Sequence, residues 1–135
     1  MDRGKALLIV PAEAEAEVVV CSEGLSFWGG VDPDNGIVID AHHDLNGQSL
    51  AGKIVLMPTS RGSCSGSGVL LQLAVNGCAP AALVFREEEE VLTLGALIAR
   101  HMFDRTIGVM RLPVADYEAL SMQRSARFEG TRLTS

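Results

Sequence analysis

Short runs of apolar, largely β-branched residues recur along the chain, and each is bounded by Gly, Pro, Asn or Asp. This pattern is typical of β-strands, and it predicts strands at residues 6–10, 18–21, 36–39, 53–57, 81–85 and 107–112. A final extended segment is predicted over 127–133. The run Asp-Pro-Asp-Asn-Gly at 32–36 predicts a tight turn that joins two extended segments.

Two segments between the later strands have the length and ending of helices. They cover residues 68–76, closed by Gly77, and residues 91–102, which follow the four glutamates at 87–90 and end with Arg100 and His101. Carboxylates at the start of a helix and cations at its end match the helix dipole, so we interpret this charge run as structural. A third, short helix is predicted over 115–122.

Strands and helices alternate from residue 53 onward, which predicts an α/β fold whose later strands are parallel. We expect the earlier strands to form a small antiparallel or barrel-like layer. With 135 residues, 47% of them hydrophobic, the chain matches one domain over 1–135 that buries its own core without a disulfide or metal. We find no internal repeat and no long linker in the sequence.

Charge and cysteine usage exclude several function classes. The 11 Lys and Arg against 17 Asp and Glu give a net charge of −6, which disfavours nucleic-acid and anionic-membrane partners. Three scattered cysteines without a CxxC pair indicate neither a disulfide framework nor a zinc site, and we expect Cys21 and Cys78 to be buried. The apolar run at 6–10 is too short for a signal peptide, so we expect a cytoplasmic protein.

The segment with most chemistry is the run Pro-Thr-Ser-Arg-Gly-Ser-Cys-Ser-Gly-Ser-Gly at 58–68, between a predicted strand and a predicted helix. Gly62, Gly66 and Gly68 would let the backbone approach a ligand, while free N–H groups at the helix start favour an anion. Arg61 would pair with a carboxylate or a phosphate. We therefore predict an anion-binding loop.

Comparison with known loop motifs disfavours one function and leaves two interpretations open. The segment lacks the Lys of a Walker A loop and the third Gly of GxGxxG, which disfavours nucleotide binding. Residues 62–66 match a nucleophile elbow with Cys64 in the serine position, so a cysteine hydrolase using His42, His43 or His101 as base is one alternative. A non-catalytic anion-binding module is another.

Two further features have both a structural and a functional interpretation. The run Phe-Trp-Gly-Gly at 27–30 is either a partner-facing loop or a core aromatic followed by a glycine turn. His42 and His43 are adjacent, so in an extended segment they point to opposite sides and make a poor metal pair. We interpret the two histidines as part of a surface loop.

Five segments taken together carry a family resemblance. In order they are FWGGVDP at 27–33, GQSLAGK at 47–53, RGSCSGSG at 61–68, APAALVFR at 79–86 and LGA at 94–96. Their order and spacing resemble the small subunit, or fused swivel domain, of aconitase X from about residue 5 to about residue 112.

This resemblance implies a swivelling β/β/α domain, as in the aconitase superfamily, that closes over a larger catalytic subunit in a heterodimer. It implies an iron–sulfur cluster on that large partner and no metal ligand from this chain. The superfamily's catalytic base is a serine in a Gly-Ser motif, which corresponds to Ser63, and Arg61, Gly62, Cys64 and Ser65 become candidate substrate-binding residues. Better-known members continue with Ser-Arg, whereas here Cys64-Ser65 follows, which leaves Arg61 as the candidate for the substrate carboxylate.

The resemblance also implies a hydro-lyase acting on a small carboxylate. Bacterial forms dehydrate cis-3-hydroxy-L-proline to Δ1-pyrroline-2-carboxylate, and archaeal forms dehydrate mevalonate 5-phosphate. The segments at 61–68 and 85–88 look more like the bacterial forms, which favours hydroxyproline. Phosphomevalonate remains the alternative substrate.

Overall fold

The computed structural model describes residues 7–10, 12–21, 24–41, 43–59, 65–87, 89, 91–130 and 132–134. These ranges contain strands and helices in mixed order. The strands are β1 (Leu7–Val10), β2 (Ala12–Val20), β3 (Ile54–Met57), β4 (Ala82–Phe85), β5 (Gly108–Arg111), β6 (Ser125–Gly130) and β7 (Arg132–Thr134). The helices are α1 (Ser65–Asn76), α2 (Val91–Met102) and α3 (Val114–Ser121).

The strands join into one sheet in the order β1-β5-β4-β3-β2-β6-β7. Strands β2, β3, β4 and β5 are mutually parallel, which confirms the predicted parallel centre. β1 runs antiparallel to β5 at one side, and β6 and β7 add antiparallel strands at the other. The early strands β1 and β2 therefore complete the ladders of the main sheet instead of forming a layer of their own.

The predicted strand at 36–39 is reduced to isolated antiparallel bridges, Val31 with Val38 and Ile37 with Ser49. Close turns on either side leave too little extended chain for a ladder. The predicted turn at 32–36 is confirmed: Asp32 Oδ1 accepts the Asp34 N–H at 2.9 Å, and the Asp32 carbonyl accepts the Gly36 N–H at 2.8 Å.

Strand β2 is longer than predicted because its first half alternates Ala and Glu, a period of two that indicates a strand with one exposed face. Glu15 and Glu17 are exposed and face basic partners, Arg127 at 3.3 Å and Lys53 at 2.6 Å. The Lys53 ammonium holds the pKa of Glu17 below its ordinary value. The predicted extended segment at 127–133 corresponds to β6 and β7, which pair in antiparallel register.

Successive residues of the central strands alternate between two buried faces. One face packs α1 and α2 against Val55, Met57, Leu83, Phe85 and Val109. The other packs α3 against Ile54, Leu56, Ala82, Val84 and Met110. Helices α1 and α2 approach closely at Gly95, where an added Cβ would lie 3.0 Å from the Ser67 carbonyl oxygen. Within the described residues, no helix is long and apolar enough to cross a membrane.

Candidate functional site

The carboxyl ends of the four parallel strands meet at one side of the sheet, which we call the carboxyl edge. Open α/β sheets place ligands outside this edge. Backbone hydrogen bonds join the segments that leave it, since the Pro58 carbonyl after β3 accepts the N–H groups of Arg86 at 3.2 Å and Glu87 at 2.8 Å after β4. The segments following β3 and β4 are thereby held side by side.

The predicted anion-binding loop lies between β3 and α1. Arg61, Gly62, Ser63 and Cys64 lie outside the described residues. Ser65 is the first residue of α1, and its side chain is likewise not described. The structure therefore fixes the two ends of the loop, Met57 ending β3 and Ser65 opening α1, while the roles of these five residues stay predictions.

Gly66 and Gly68 belong to the first turn of α1 rather than to the loop, so the predicted helix start at residue 68 and their predicted role in bending the loop are wrong. A Cβ on Gly66 would make ordinary contacts, 3.5 Å from Val91 and 3.7 Å from Phe27. A Cβ on Gly68 would meet nothing within 4 Å. The helix begins earlier because the Ser-Gly repeat continues directly into its apolar stretch.

The start of α2 also lies at the carboxyl edge, and a buried carboxylate occupies it. Glu89 accepts the N–H of Leu92 at 2.8 Å and the N–H of Thr93 at 2.9 Å, and the Thr93 hydroxyl at 3.1 Å. Arg100 and His101 lie in the last turn. For Glu89 this supports the structural interpretation of the glutamate run, whereas Glu88 and Glu90 lie outside the described residues.

A polar group that the sequence analysis did not identify lies at the same edge. The Arg86 guanidinium carbon is 5.7 Å from the centre of the Tyr117 ring, and Arg86 Nη2 is 3.5 Å from a carboxylate oxygen of Glu87. The Tyr117 hydroxyl is buried and has no hydrogen-bond partner among the described residues. The only signals in the sequence are an arginine directly after a buried strand and a single tyrosine in the chain.

The surroundings of the Tyr117 hydroxyl shift its pKa. Burial raises the pKa of Tyr117 most, the nearby Cys21 thiol raises it further, and the positive charge of Arg86 lowers it. Burial and the nearby Asp44 carboxylate also raise the pKa of the Cys21 thiol to about 12. At neutral pH the thiol and the phenol are therefore both protonated.

Comparisons with known proteins now identify the family. A family model described as the aconitase X swivel domain matches residues 3–134. The chain belongs to this family. The match confirms the family resemblance. The structure confirms the α/β fold class, with a TM-score of 0.74 to the crystal structure of Thermococcus kodakaraensis aconitase X in its holo-form.

That structure is 37% identical to this swivel domain and is matched over 91% of this chain and 86% of its own. The cis-3-hydroxy-L-proline dehydratase of Hypocrea jecorina is 44% identical over 93% of this chain, which spans 21% of that relative's length. The phosphomevalonate dehydratase small subunit of Thermococcus gammatolerans is 45% identical over 77% of this chain and 79% of its own. The swivel domain is thus similar both to one segment of long dehydratases and to nearly whole small subunits.

Phe27 and Trp28 each match one of the two interpretations of the run at 27–30, a core aromatic and a partner-facing loop. Phe27 is fully buried and contacts the region of Gly66, whereas Trp28 is 65% exposed. The turn that follows requires glycine, because a Cβ on Gly30 would lie 2.1 Å from the Ser26 carbonyl oxygen. Phe27 is therefore a core residue, and Trp28 is available to a partner.

The histidines do not support the cysteine-hydrolase alternative. His43 is buried instead of lying on the surface, and its Nδ1 accepts the Leu45 N–H at 3.1 Å and lies 3.1 Å from a carboxylate oxygen of Asp44. His101 lies at the far end of α2 from the carboxyl edge, about 15 Å along the helix. His42 lies outside the described residues.

The described donors do not fit an iron–sulfur cluster. In the part of the chain that the structure describes, no three His, Cys, Asp or Glu side chains are grouped to hold a metal ion. Cys21 is buried as predicted, and its raised pKa makes it a poor thiolate ligand. Cys78 is half-buried instead of buried, with its Sγ 3.6 Å from the Asp34 carbonyl oxygen.

Proposed function

We propose that this chain is the swivel component of an aconitase X-type hydro-lyase that dehydrates cis-3-hydroxy-L-proline to Δ1-pyrroline-2-carboxylate. The observation that carries the proposal is the 44% identity to a cis-3-hydroxy-L-proline dehydratase over 93% of the chain. The chain would act with a larger subunit in a heterodimer, as the swivel-domain family and the small-subunit relatives imply. We expect the iron–sulfur cluster on that large partner.

In this proposal Ser63 accepts the proton. The base takes the proton from the substrate carbon that bears the carboxylate, and the hydroxyl on the adjacent carbon leaves with a second proton as water, so a carbon–carbon double bond forms. With cis-3-hydroxy-L-proline this first product is an enamine, and transfer of a proton from the ring nitrogen to carbon converts it into the carbon–nitrogen double bond of Δ1-pyrroline-2-carboxylate. Ser63 stands two residues before Ser65, the first residue of α1, so the proposal pairs this serine with the first turn of that helix. That turn contains no acidic residue, so the positive end of the helix dipole is available to stabilise negative charge on the serine oxygen.

The remaining candidate residues of the loop would hold the substrate. Gly62 would offer its backbone N–H, and Arg61 would supply a positive charge. In the sequence Cys64 directly precedes Ser65, the first residue of α1. Hydrogen bonds from the Arg86 and Glu87 N–H groups to the Pro58 carbonyl support this assignment of substrate-binding residues. They fix Pro58, the residue at which the loop leaves the sheet.

A second substrate has its own supporting observation. The phosphomevalonate dehydratase small subunit matches this chain over 77% of the chain and 79% of its own length. The two proteins are thus similar in extent as well as in sequence. Dehydration of mevalonate 5-phosphate would use the same base and the same loop.

The test is expression of this chain with a large aconitase X subunit under anaerobic conditions, followed by purification and parallel assays with cis-3-hydroxy-L-proline and mevalonate 5-phosphate. We expect the two chains to purify together and to turn over the first substrate only when both are present. Ser63→Ala should lower kcat by about 10²- to 10⁴-fold, the usual contribution of a general base. Cys64→Ala is the matched variant: because Cys64 is a candidate for substrate binding and not for the base, any change should be in KM, while kcat stays within about 10-fold of the wild type.

Other outcomes would contradict the proposal in distinct ways. Turnover of mevalonate 5-phosphate alone would select the second substrate. Loss of activity in Cys64→Ala with Ser63→Ala unaffected would favour the cysteine hydrolase. Ligand binding without turnover of either substrate would indicate the anion-binding module.

A further inference from the structure

The Tyr117 hydroxyl is the feature that the fold does not explain. Tyr117 is 5% exposed, and its oxygen has no hydrogen-bond partner among the described residues. A buried hydroxyl without a partner destabilises a protein, and phenylalanine would fill the same space without this cost. The hydroxyl therefore indicates a polar partner that binds at this position.

The surroundings of the hydroxyl favour an anionic partner. The Arg86 guanidinium lies over the Tyr117 ring, 5.7 Å from its centre. A guanidinium has five N–H donors, and the Glu87 carboxylate approaches one nitrogen at 3.5 Å, longer than a charge-assisted hydrogen bond of about 2.8 Å. The Glu87 side chain is 58% exposed, so water competes for this contact.

Arg86 is also placed to act together with the predicted base. Its N–H donates to the Pro58 carbonyl at 3.2 Å, and Pro58 begins the segment that leads to Ser63. Its side chain is 33% exposed, so a ligand arriving at the carboxyl edge can reach it. The Cys21 thiol nearby is neutral and does not repel an anion.

We propose that Arg86 and Tyr117 bind the carboxylate of the substrate, with Arg86 donating two N–H groups and Tyr117 donating its hydroxyl. This inference rests on the proposed function, and it transfers to Arg86 the role that the family resemblance left to Arg61. Both candidate substrates carry a carboxylate, so the assignment does not depend on which of them is turned over.

The test uses the two-chain enzyme and the variants Arg86→Gln and Tyr117→Phe, with Arg105→Gln as control. Arg105 is an exposed arginine at the opposite side of the sheet. We expect KM to rise by about 10- to 100-fold in Arg86→Gln and by about 10-fold in Tyr117→Phe, because binding loses hydrogen bonds to a charged group. Arg105→Gln should match the wild type.

Stability separates a binding role from a structural one. Tyr117→Phe removes only the unpaired oxygen, so its Tm should equal or exceed that of the wild type while KM rises. A rise in Tm with an unchanged KM would overturn the role of Tyr117. An unchanged KM in Arg86→Gln would overturn the role of Arg86.

A binding measurement keeps the inference testable if the proposed function fails. L-proline carries the carboxylate and pyrrolidine has the same ring without it, so calorimetry of both with the two-chain complex isolates the carboxylate contribution. We expect L-proline to bind at least 10-fold more weakly to Arg86→Gln and to Tyr117→Phe than to the wild type, with no change for pyrrolidine. Equal affinity of the three complexes for L-proline would overturn the inference. If the wild type turns over only mevalonate 5-phosphate, the same complexes are compared with that ligand, and equal affinities would again overturn the inference. Absence of turnover in the wild type alone would count against the proposed function.

Discussion

The two edges of the parallel sheet differ in what they bury. The amino edge, where β4 and β5 begin, has an open groove of about 340 Å³ lined by small residues together with Asp104 and Arg105, both exposed. The carboxyl edge buries Cys21, Glu89 and the Tyr117 hydroxyl. The groove at the amino edge therefore has solvated charges, and the carboxyl edge has the buried polar groups. The buried polar groups, and not this groove, lie where open α/β sheets place ligands.

Helix direction explains the difference. Both α1 and α2 begin at the carboxyl edge and end near the amino edge. At the start of α2 the Glu89 carboxylate already accepts the N–H groups of Leu92 and Thr93. The start of α1 has no acidic residue in its first turn, so an anion is favoured there. Although the chain carries a net charge of −6, this local arrangement of donors favours an anion at the carboxyl edge.

The largest expected contrast is in thiol reactivity, with Cys21 at the carboxyl edge and Cys78 near the amino edge. A pKa of about 12 leaves Cys21 with about 10³-fold less thiolate at pH 8 than an ordinary cysteine. Cys78 is half-buried. We expect iodoacetamide to modify Cys78 in the folded chain and Cys21 only after unfolding, as measured by peptide mass spectrometry.

The pH dependence of Cys21 modification tests the direction of its pKa shift. Because burial raises the pKa of the Cys21 thiol, its modification should stay slow through pH 9 and accelerate only as the pH approaches 12 or the chain unfolds. Modification of Cys21 at pH 7 in the folded chain would mean that the carboxyl edge is open to solvent, contrary to the comparison above.

A smaller contrast is expected between two carboxylates changed to amides. Glu89→Gln should cost about 1 to 3 kcal/mol of unfolding free energy, because the amide cannot accept the hydrogen bonds of Leu92 and Thr93 with both of its polar atoms. Asp104→Asn should change stability by less than about 0.5 kcal/mol, since Asp104 is exposed and Asn tolerates its φ of 53°. The urea unfolding midpoints of the two variants measure this difference in stability. Equal shifts of the two midpoints would contradict the prediction.

The sequence predicted much of the fold because the central strands are continuous apolar runs between clear turn signals. Helix α2 was predicted with its observed bounds, since its charges mark both ends. The Ala-Glu alternation of β2 was overlooked because half of its residues are charged and it pairs with a strand more than 100 residues later. Such pairing has no local signal.

The candidate site was predictable only in part, for a different reason. Ser63 and its neighbours form a local motif that one segment of sequence contains. Arg86 and Tyr117 come from separate elements, and their contact exists only because α3 packs on the face of the sheet opposite to α1. A lone tyrosine in a short helix carries no sign of an unpaired hydroxyl until its surroundings are known.

Small effects of opposite sign are expected at two glycines: Gly68 lies in the first turn of α1 near the carboxyl edge, and Gly77 directly follows the last residue of α1 near the amino edge. Gly68 has helical backbone angles and free space around its Cβ position, so Gly68→Ala should stabilise the chain by about 1 kcal/mol. Gly77 has a φ of 74°, so Gly77→Ala should destabilise it by about 1 kcal/mol although space is available there too. Urea unfolding of the chain measures both changes.

The same pair then distinguishes stability from function in the two-chain enzyme. An exposed glycine that costs a helix stability is useful where another molecule must come close to the backbone, and Gly68 lies in the turn that follows the predicted base. We expect Gly68→Ala to raise stability and lower turnover, and Gly77→Ala to lower stability while turnover by the folded enzyme is kept. If Gly68→Ala gained stability and kept full turnover, no other molecule would come close to the backbone at Gly68. The surface of the carboxyl edge that contacts another molecule would then end before this residue.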